Sequence, residues 1–413
     1  MLENIGKAAK KASYELSLLS TADKNRILEK IQVQLNEDRS KILEENKRDM
    51  DQGKENKLSD ALLDRLFLDD SRIDDMISSL DVIIGLEDPV GRVNDVFISD
   101  DGLSIGRKTT ALGVLGIIYE SRPNVSLDAS ALALKSSNAI ILRGGEEAIH
   151  SNRAIVASIR AAISGLGFDE NFVQFIDDVT RESSTELMKL DEYVDVLIPR
   201  GGKGLIQAVK KNSTVPVIET GEGNSTIYVD KYADIDKSIK IIENAKCQRT
   251  GVCNAVESLF IHKDVGEDFY QKLNDLVKKH GIKVHAEKCL VDKLEGSVLA
   301  DEEDYYTEYL DLEFSIKTVD SIDTAIMEIM EYGTGHSDAI MTESYQRAKT
   351  FVDRVNTACV YVNASTRFTD GGQFGKGAEL GISTQKLHAR GPVGLEELTS
   401  YKYIILGNGE IRK

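Results

Sequence analysis

The chain has 413 residues, of which 41% are hydrophobic and 29% are charged, and its formal net charge at pH 7 is −18. This length exceeds what a single hydrophobic core usually supports, so we expect two domains, or two domains with an appendage. The acidic balance argues against a nucleic-acid surface and against docking on anionic lipid, since both need clustered Lys and Arg. It is typical of a well-hydrated surface.

The N-terminal residues and the cysteines bear on cellular location. The opening stretch, MLENIGKAAKKASYELSLL, lacks the apolar core and the cleavage site of a signal peptide. No apolar run approaches the roughly 18 residues needed to span a bilayer. Four cysteines in a chain of this length do not make a disulfide framework. We therefore expect a cytoplasmic protein with reduced thiols and no membrane partner.

The first half of the chain predicts helices followed by a parallel sheet. Residues 1–80 combine Lys and Glu with apolar residues at helical spacing, which indicates a few packed helices. At about residue 97 the pattern alternates around an Asp-Asp-Gly turn, which predicts a hairpin over about 97–111 that runs into a buried strand. Three apolar runs then each meet a turn and a helical pattern: Val114–Tyr119 with SRPN, Ala139–Leu142 with RGGEEA, and Val194–Ile198 with PRGGKG. Such repetition indicates a parallel sheet with helices on its faces.

A second part of the chain follows a break near residues 220–234. It shows a helix through Ala245, another over Asp268–His280, and strand and helix patterns to about Asn356. The last sixty residues are rich in glycine, with DGGQFGKGAELG at 370–381, and close on an alternating strand at 401–409.

The two glycine turns, RGGEEA at 143–148 and PRGGKG at 199–204, each follow a predicted strand and open a predicted helix. Such turns present free backbone N–H groups and the positive end of a helix dipole. Neither matches G-x-G-x-x-G or the Walker pattern. They are either ordinary turns of an α/β fold or turns that hold a nucleotide cofactor along the strand ends.

The stretch CQRTGVCNAVESLFIH, residues 247–262, holds two of the four cysteines. The spacing of Cys247 and Cys253 fits neither the structural zinc patterns nor a C-x-x-C redox pair, so no metal is expected. Cys247, Cys289 and Cys359 are predicted as packing residues, because cysteine is among the most buried residue types. Cys253 follows Thr-Gly-Val, and a thiol on such a turn can be an exposed nucleophile whose pKa nearby N–H groups lower. The residues alone leave both a nucleophile and a packing residue open for Cys253.

These segments resemble the aldehyde dehydrogenase superfamily and, within it, the branch that reduces L-glutamyl 5-phosphate in proline biosynthesis. The resemblance runs from about residue 10 to the C-terminus. It rests on YESRPNVS (119–126), ILRGGEEA (141–148), IPRGGKGLI (198–206), QRTGVCNAVESLFIH (248–262), TEYLDLEFSIKTVDSIDTAI (307–326) and NASTRFTDGGQFGKGAELGISTQKLHARGPVGLEELTSYKY (363–403).

The resemblance implies that Cys253 is the catalytic thiol. It would attack the acyl carbon of L-glutamyl 5-phosphate, expel phosphate and leave a thioester, which NADPH reduces to L-glutamate 5-semialdehyde. Ser121-Arg122-Pro123 stands where hydrolytic relatives have an Asn-Phe-Pro turn that supplies an oxyanion donor. The oxyanion would then rest on the Cys253 backbone N–H, with Ser121 or Asn124 as further candidates. Glu219 lies near the place of the general base that activates water in those relatives.

The resemblance also implies a nicotinamide cofactor, with NADP as the expected form. Arg143 is placed near the adenosine ribose, and Glu308 resembles the acid that holds the nicotinamide ribose. The implied cofactor-binding residues are Arg143, Gly144, Gly145, Glu146, Gly201, Gly202, Gly204 and Glu308. An acid at Glu146 would repel a 2′-phosphate, so NAD is kept as an alternative.

For the substrate, the resemblance places basic residues around an acyl phosphate. Arg122 suits the phosphate leaving group, because its guanidinium binds such oxygens bidentately. Arg367, helped by Ser365 and Thr366, is the candidate for the α-carboxylate or the phosphate. Arg249, four residues before the cysteine, is a second candidate.

The implied architecture is an aldehyde dehydrogenase-like α/β fold with two Rossmann-like parallel-sheet domains and an oligomerisation hairpin. Residues 1–228, completed by about 364–400, would form the cofactor-binding domain, and 229–363 the catalytic domain. Residues 97–111 and 401–413 would form a flap that pairs subunits into a homodimer or homotetramer. A separate glutamate 5-kinase would supply the substrate. Two rival functions are a hydrolytic aldehyde dehydrogenase that uses Glu219 as base, and a non-catalytic nucleotide-binding or metal-binding protein.

Overall fold

The computed structural model describes residues 2–412, without the side chain of Ala61. Met1 and Lys413, the first residue of the predicted cofactor domain and the last of the predicted flap, lie outside the described residues. The chain divides into two compact units. The first is Met1–Thr220 with Gly375–Gly381 and Val393–Lys413, and the second is Gly221–Phe374 with Ile382–Pro392.

Helices and strands alternate through most of the described chain. The helices are α1 Leu2–Leu16, α2 Thr21–Glu37, α3 Arg39–Glu55, α4 Asp60–Leu66, α5 Asp70–Gly85, α6 Asn124–Lys135, α7 Ile149–Gly165, α8 Arg181–Met188, α9 Lys203–Asn212, α10 Ile235–Cys247, α11 Glu267–His280, α12 Ile322–Tyr332 and α13 Tyr345–Arg354. The strands are β1 Val93–Ile98, β2 Ser104–Ala111, β3 Val114–Tyr119, β4 Ala139–Gly144, β5 Val173–Phe175, β6 Val196–Arg200, β7 Ser225–Val229, β8 Val256–His262, β9 Lys283–Ala286, β10 Val298–Leu299, β11 Glu313–Val319, β12 Ser337–Met341, β13 Cys359–Val362, β14 Ile382–Ser383, β15 Gly391–Pro392 and β16 Thr399–Leu406.

The helices predicted for residues 1–80 are present as α1 to α5 in the first unit. Their starts follow from capping side chains: the Ser20 hydroxyl accepts a hydrogen bond from the Asp23 N–H at the start of α2, and Asp69 caps α5 in the same way. One face of α2 is apolar and buried, including Ile27 and Ile31. Over residues 2–412, no helix combines the length and the apolar character that crossing a bilayer requires.

The three strand–turn–helix segments of the sequence form a parallel sheet in the first unit, in the order β5-β4-β3-β6. Strands β3 and β4 are buried along their whole length, which explains their unbroken apolar runs. The predicted parallel sheet is therefore confirmed, and β5 is an addition at the edge that is too short to stand out in the sequence. Both glycine turns lie at the carboxyl ends of their strands, where parallel sheets usually bind ligands.

A separate antiparallel sheet in the first unit joins the predicted hairpin to the end of the chain, in the order β1-β2-β16. Strand β16 pairs with β2 over its full length, from Thr399 opposite Ala111 to Leu406 opposite Ser104. Several large apolar side chains of this sheet are exposed, among them Phe97, Ile98 and Ile405.

The second unit is built on a parallel sheet in the order β10-β9-β11-β8-β7-β12-β13. Its central strands β7, β8 and β12 are buried throughout. Helices α10 and α11 pack their apolar faces on this sheet and form one core with β7, β8 and β11. The segments that precede β7, β8 and β11 meet at the amino ends of these strands, and they carry the residues described next.

Candidate active site

Cys253 lies in a tight turn between α10 and β8 in the second unit. The Val252 N–H donates to the Thr250 carbonyl over 2.9 Å, and the Ala255 N–H donates to the Val252 carbonyl over 3.1 Å. On the other side, the hydroxyl of Ser225 donates to the Cys253 carbonyl over 3.3 Å. The cysteine is half-buried. Its backbone is therefore held from both sides.

The segment before β7 packs directly against this turn. A Cβ added at Gly223 would overlap the Cys253 backbone, so only glycine fits there. The Gly223 N–H donates to Oε1 of Glu308 over 2.8 Å. The Asn224 amide fixes the next residue by donating to the Tyr305 and Tyr332 carbonyls over 2.7 and 2.9 Å. Gly223 is thus a site residue that sequence reasoning missed, although the GEG motif around it marked the break between the two halves of the chain.

Asn254, directly after the cysteine, ties the turn to the segment that carries Arg367. Its Nδ2 donates to the Thr369 carbonyl over 2.8 Å, and its own carbonyl accepts from the hydroxyl of Thr366 over 2.7 Å. Thr366 is fully buried, and this bond uses its hydroxyl hydrogen. The short 3-10 turn Thr366–Phe368 is therefore fixed relative to Cys253.

Two guanidinium groups act electrostatically on this region. Burial lowers the pKa of Arg367, repulsion from Arg249 lowers it further, and Asp370 and Cys253 oppose these effects. The Arg367 Nε donates to Oε1 of Gln248 over 3.1 Å, and its backbone N–H donates to the Ser365 hydroxyl over 3.3 Å. Guanidinium groups placed in this way attract phosphate or carboxylate oxygens.

In the first unit, Ser121 follows β3 in a left-handed backbone conformation, with φ of 41°. Its N–H and its hydroxyl both donate to Oε1 of Glu147, over 2.5 and 2.6 Å. These bonds hold a conformation that costs a non-glycine residue about 1 kcal/mol. Sequence reasoning missed Glu147 because it lies 26 positions away, in the turn after β4.

Arg122 and Asn124 line a polar cavity of the same unit. The other polar side chains of its wall are Asp128, Arg200 and Glu379. Asn124 begins α6, and its Nδ2 donates to Oδ2 of Asp128 over 2.9 Å. Burial raises the pKa of Asp128 to about 6. Guanidinium and carboxylate groups thus face the same small space.

The glycine turn after β6 opens α9, with Gly202 as the residue that precedes the helix. The Gly202 N–H donates to Oε2 of Glu120 over 2.8 Å, and a Cβ added at Gly201 would overlap the same carboxylate. Nothing lies within 4 Å of a Cβ added at Gly204. The start of α9 is therefore exposed to solvent and already binds one carboxylate, which comes from the residue that follows β3.

Arg143, the last residue but one of β4, is buried and bonded to main chain. Its guanidinium donates to the Gly144, Val179 and Thr180 carbonyls over 3.2, 2.5 and 3.0 Å. Burial lowers its pKa. Gly144 and Gly145 are buried beside it, and Cβ atoms added at these positions would overlap the side chains of Asn152 and Glu147. Glu146, the next residue, is exposed.

Glu219 and His336 have structural partners. Oε2 of Glu219 forms an ion pair with Nζ of Lys210 at 3.0 Å. His336 is fully buried just before β12, and burial lowers its pKa to about 4, so the imidazole is neutral at physiological pH. Its Nδ1 hydrogen-bonds with the Ser337 hydroxyl at 2.8 Å.

The other cysteines differ from one another. Cys359 is buried in β13, and Cys247 packs against the core of the second unit, as predicted. The prediction that Cys289 is a packing residue is wrong. Cys289 is exposed, and its thiol donates to Oε2 of Glu287 over 3.2 Å. It lies in the turn that follows β9 rather than on an element that faces the core. Within residues 2–412, no three His, Cys, Asp or Glu side chains come together as a metal site.

Comparison with known proteins first defines the class. The model of the aldehyde dehydrogenase family matches residues 2–290. An acetylating aldehyde dehydrogenase from Geobacillus thermoglucosidasius, 16% identical, shares the fold with a TM-score of 0.71 over 99% of this chain and 97% of its own.

More similar relatives define the branch. The crystal structure of γ-glutamyl phosphate reductase from Thermotoga maritima superposes with a TM-score of 0.97, at 48% identity and over 99% of each chain. The γ-glutamyl phosphate reductase of Heliobacterium modesticaldum is 52% identical over 407 residues, which are 98% of each chain. The chain belongs to the γ-glutamyl phosphate reductases of the aldehyde dehydrogenase family. The predicted family and fold class are confirmed.

Proposed function

We propose that the protein reduces L-glutamyl 5-phosphate to L-glutamate 5-semialdehyde and inorganic phosphate, a step of proline biosynthesis, through a thioester on Cys253. The observation that carries this proposal is the fixed turn of Cys253, which is held by the Ser225 hydroxyl, packs on Gly223 and interacts electrostatically with Arg367. Full-length relatives at about half identity carry the corresponding name.

The reaction follows from the chemistry of this turn. The Cys253 thiolate attacks the acyl carbon, an S–C bond forms, and the C–O bond to phosphate breaks with both electrons leaving on the phosphate. Arg249 and Arg367 would stabilise the negative charge of the phosphate, and the Cys253 backbone N–H would receive the carbonyl oxygen. After reduction, collapse of the tetrahedral adduct breaks the S–C bond and returns the thiolate. This route needs no water, which agrees with Glu219 being paired with Lys210.

The glycine turn after β6 supports a dinucleotide site in the first unit. The exposed turn of Gly201, Gly202 and Gly204 at the start of α9 leaves room for a pyrophosphate near backbone N–H groups. Glu308, which accepts from the Gly223 N–H, would hold the nicotinamide ribose, as the resemblance implies. When bound, the cofactor supplies the hydride that reduces the thioester.

We propose NADP as the cofactor and retain NAD as a second candidate. Two observations favour NAD: Glu146 exposes a carboxylate in the turn after β4, and the guanidinium of Arg143 is buried against main-chain carbonyls. The Glu146 carboxylate would repel the 2′-phosphate of NADP, and the Arg143 guanidinium is already bonded and would stabilise that phosphate little. The relative rates with the two cofactors decide between them.

The proposed function is tested in the reverse direction. Initial rates of semialdehyde oxidation are measured with NADP and with NAD, each with and without inorganic phosphate. We expect turnover only with phosphate, since phosphate must attack the thioester carbonyl, breaking the S–C bond, to release the Cys253 thiolate. Equal turnover without phosphate would contradict the proposal and favour the hydrolytic rival.

Replacement of Arg367 by methionine tests the anion site. We expect the KM for phosphate in the reverse reaction to rise about 10- to 100-fold, because a charge-assisted hydrogen bond to an oxyanion contributes about 1.5–3 kcal/mol. Arg354→Met, on an exposed ion pair with Asp323, is the control and should leave this KM unchanged. An unchanged KM in Arg367→Met would remove Arg367 from the substrate site.

The remaining predictions concern organisation. The first unit would bind the cofactor and the second would carry the nucleophile. The exposed apolar side chains of the β1-β2-β16 sheet support a flap that pairs subunits into a homodimer or homotetramer, which light scattering on the purified protein would measure. A separate kinase would supply the acyl phosphate, and a cytoplasmic location also stays a prediction.

A further inference from the structure

Lys246 and Glu257 form a fully buried ion pair in the second unit. Lys246 lies in the last turn of α10, and Glu257 is the second residue of β8. Nζ of Lys246 lies 2.7 Å from Oε2 of Glu257, and both side chains have 0% exposure. Charges are rarely buried without compensation, and an apolar pair of similar volume would often be at least as stable. The pair therefore calls for a role other than stability.

Each member of the pair also binds the backbone of the turn that carries Glu308. Nζ of Lys246 donates to the Asp311 carbonyl over 3.1 Å, and Oε1 of Glu257 accepts from the Leu310 N–H over 3.4 Å. Leu310 has φ of 56°, a left-handed conformation that is uncommon for a leucine. The two ions thus hold a strained turn from its interior side.

The same turn reaches the nucleophile through Glu308. Oε1 of Glu308 accepts from the Gly223 N–H over 2.8 Å, and Gly223 packs on the backbone of Cys253. Glu308 also acts on the ion pair itself: burial raises the pKa of Glu257 to about 7, and repulsion from Glu308 acts in the same direction. Cys253, Glu308 and the ion pair therefore form one connected structure.

We propose that Lys246 and Glu257 are positioning residues, which hold the turn Glu308–Asp311 so that the Glu308 carboxylate is presented to the ribose of the nicotinamide cofactor. This inference rests on the role of Glu308 in the proposed function. The pair does not touch the reacting atoms. It sets the rotation of the turn, and the orientation of Glu308 follows from that rotation.

Glu257→Gln is the first test, since it keeps the shape of the side chain and removes its charge. We expect the KM and the Kd for the dinucleotide to rise about tenfold, as is typical when an outer-shell partner of a metal ligand is lost. The kcat should change less than about threefold, and the alkylation rate of Cys253 by iodoacetamide should stay unchanged. The double variant Lys246→Met with Glu257→Leu should fold and show the same rise, because an apolar pair replaces both charges.

Asp230→Asn is the matched control. Asp230 is fully buried, pairs with Arg347 at 2.6 Å, and lies just beyond the carboxyl end of β7, away from Gly223. The Asp230→Asn substitution should lower the melting temperature without raising the Kd for the dinucleotide. An unchanged Kd in both pair variants, or an equal rise in Asp230→Asn, would overturn the inference. Since the Kd is measured by calorimetry without turnover, it tests the pair even if phosphate-dependent activity fails to appear.

Discussion

The Cys253→Ala variant is expected to lose phosphate-dependent semialdehyde oxidation, with kcat/KM reduced by at least about 10⁴-fold. The effect is large because the variant has no covalent nucleophile and cannot form the thioester intermediate. The variant should fold, because Cys253 is half-buried and the bonds described for its turn are made by main-chain groups and by side chains other than the thiol. Steady-state rates and calorimetric binding of the dinucleotide measure both properties.

Cys289→Ala is the control for this experiment. Cys289 is an exposed cysteine of the same unit, far from the turn in sequence, so its removal should leave kcat/KM within about twofold. Mass spectrometry after brief exposure to substrate should find the acyl group on Cys253 in the wild type and in this control. Full turnover by folded Cys253→Ala would show that the mechanism is not covalent and would return the non-catalytic rival to consideration.

Local sequence signals predicted the elements that carry the site. Apolar runs such as Val114–Tyr119, followed by turns rich in glycine or proline and then by helical spacing, identified β3, β4 and β6 and placed both glycine turns at strand ends. The turn around Cys253 was equally local. These features depend on residues within one or two turns of chain, which is the range over which periodicity and turn chemistry act.

The supports of the site depend on contacts between distant positions. Glu120 binds the Gly202 N–H across 82 positions, and Glu308 binds the Gly223 N–H across 85. Asn254 reaches Thr369 across 115 positions. No spacing rule relates such residues, so a single sequence does not indicate that they meet.

Burial also shows which predicted site residues are bonded to the main chain. The resemblance placed Arg143 and Thr366 at the ligands, yet the donors described for each are bonded to main-chain carbonyls. Arg367 differs, because it is half-buried and its pKa responds to Cys253. A motif gives the position of a residue, whereas the direction of its hydrogen bonds requires the packed structure.

The Gly223→Ala variant is expected to lose at least about 100-fold in kcat/KM. The new Cβ would overlap the backbone of Cys253, and relief of that overlap requires the turn to move by an amount of the order of 1 Å, a displacement that can cost about 100-fold in rate. The same overlap should lower the free energy of unfolding by about 1–3 kcal/mol. Steady-state kinetics, iodoacetamide alkylation of Cys253 and thermal unfolding measure the three consequences.

Gly165→Ala distinguishes a local effect from a general intolerance of added methyl groups. Gly165 ends α7, and nothing lies within 4 Å of a Cβ added there, so alanine should keep kcat/KM and leave the melting temperature equal or slightly higher. The Gly223→Ala variant is compared with the wild type in melting temperature and in the rate at which iodoacetamide alkylates Cys253. If both are equal to the wild-type values, the close approach of the two backbones does not determine the position of the thiolate. A lower alkylation rate in a folded variant would show that the glycine before β7 positions the thiolate.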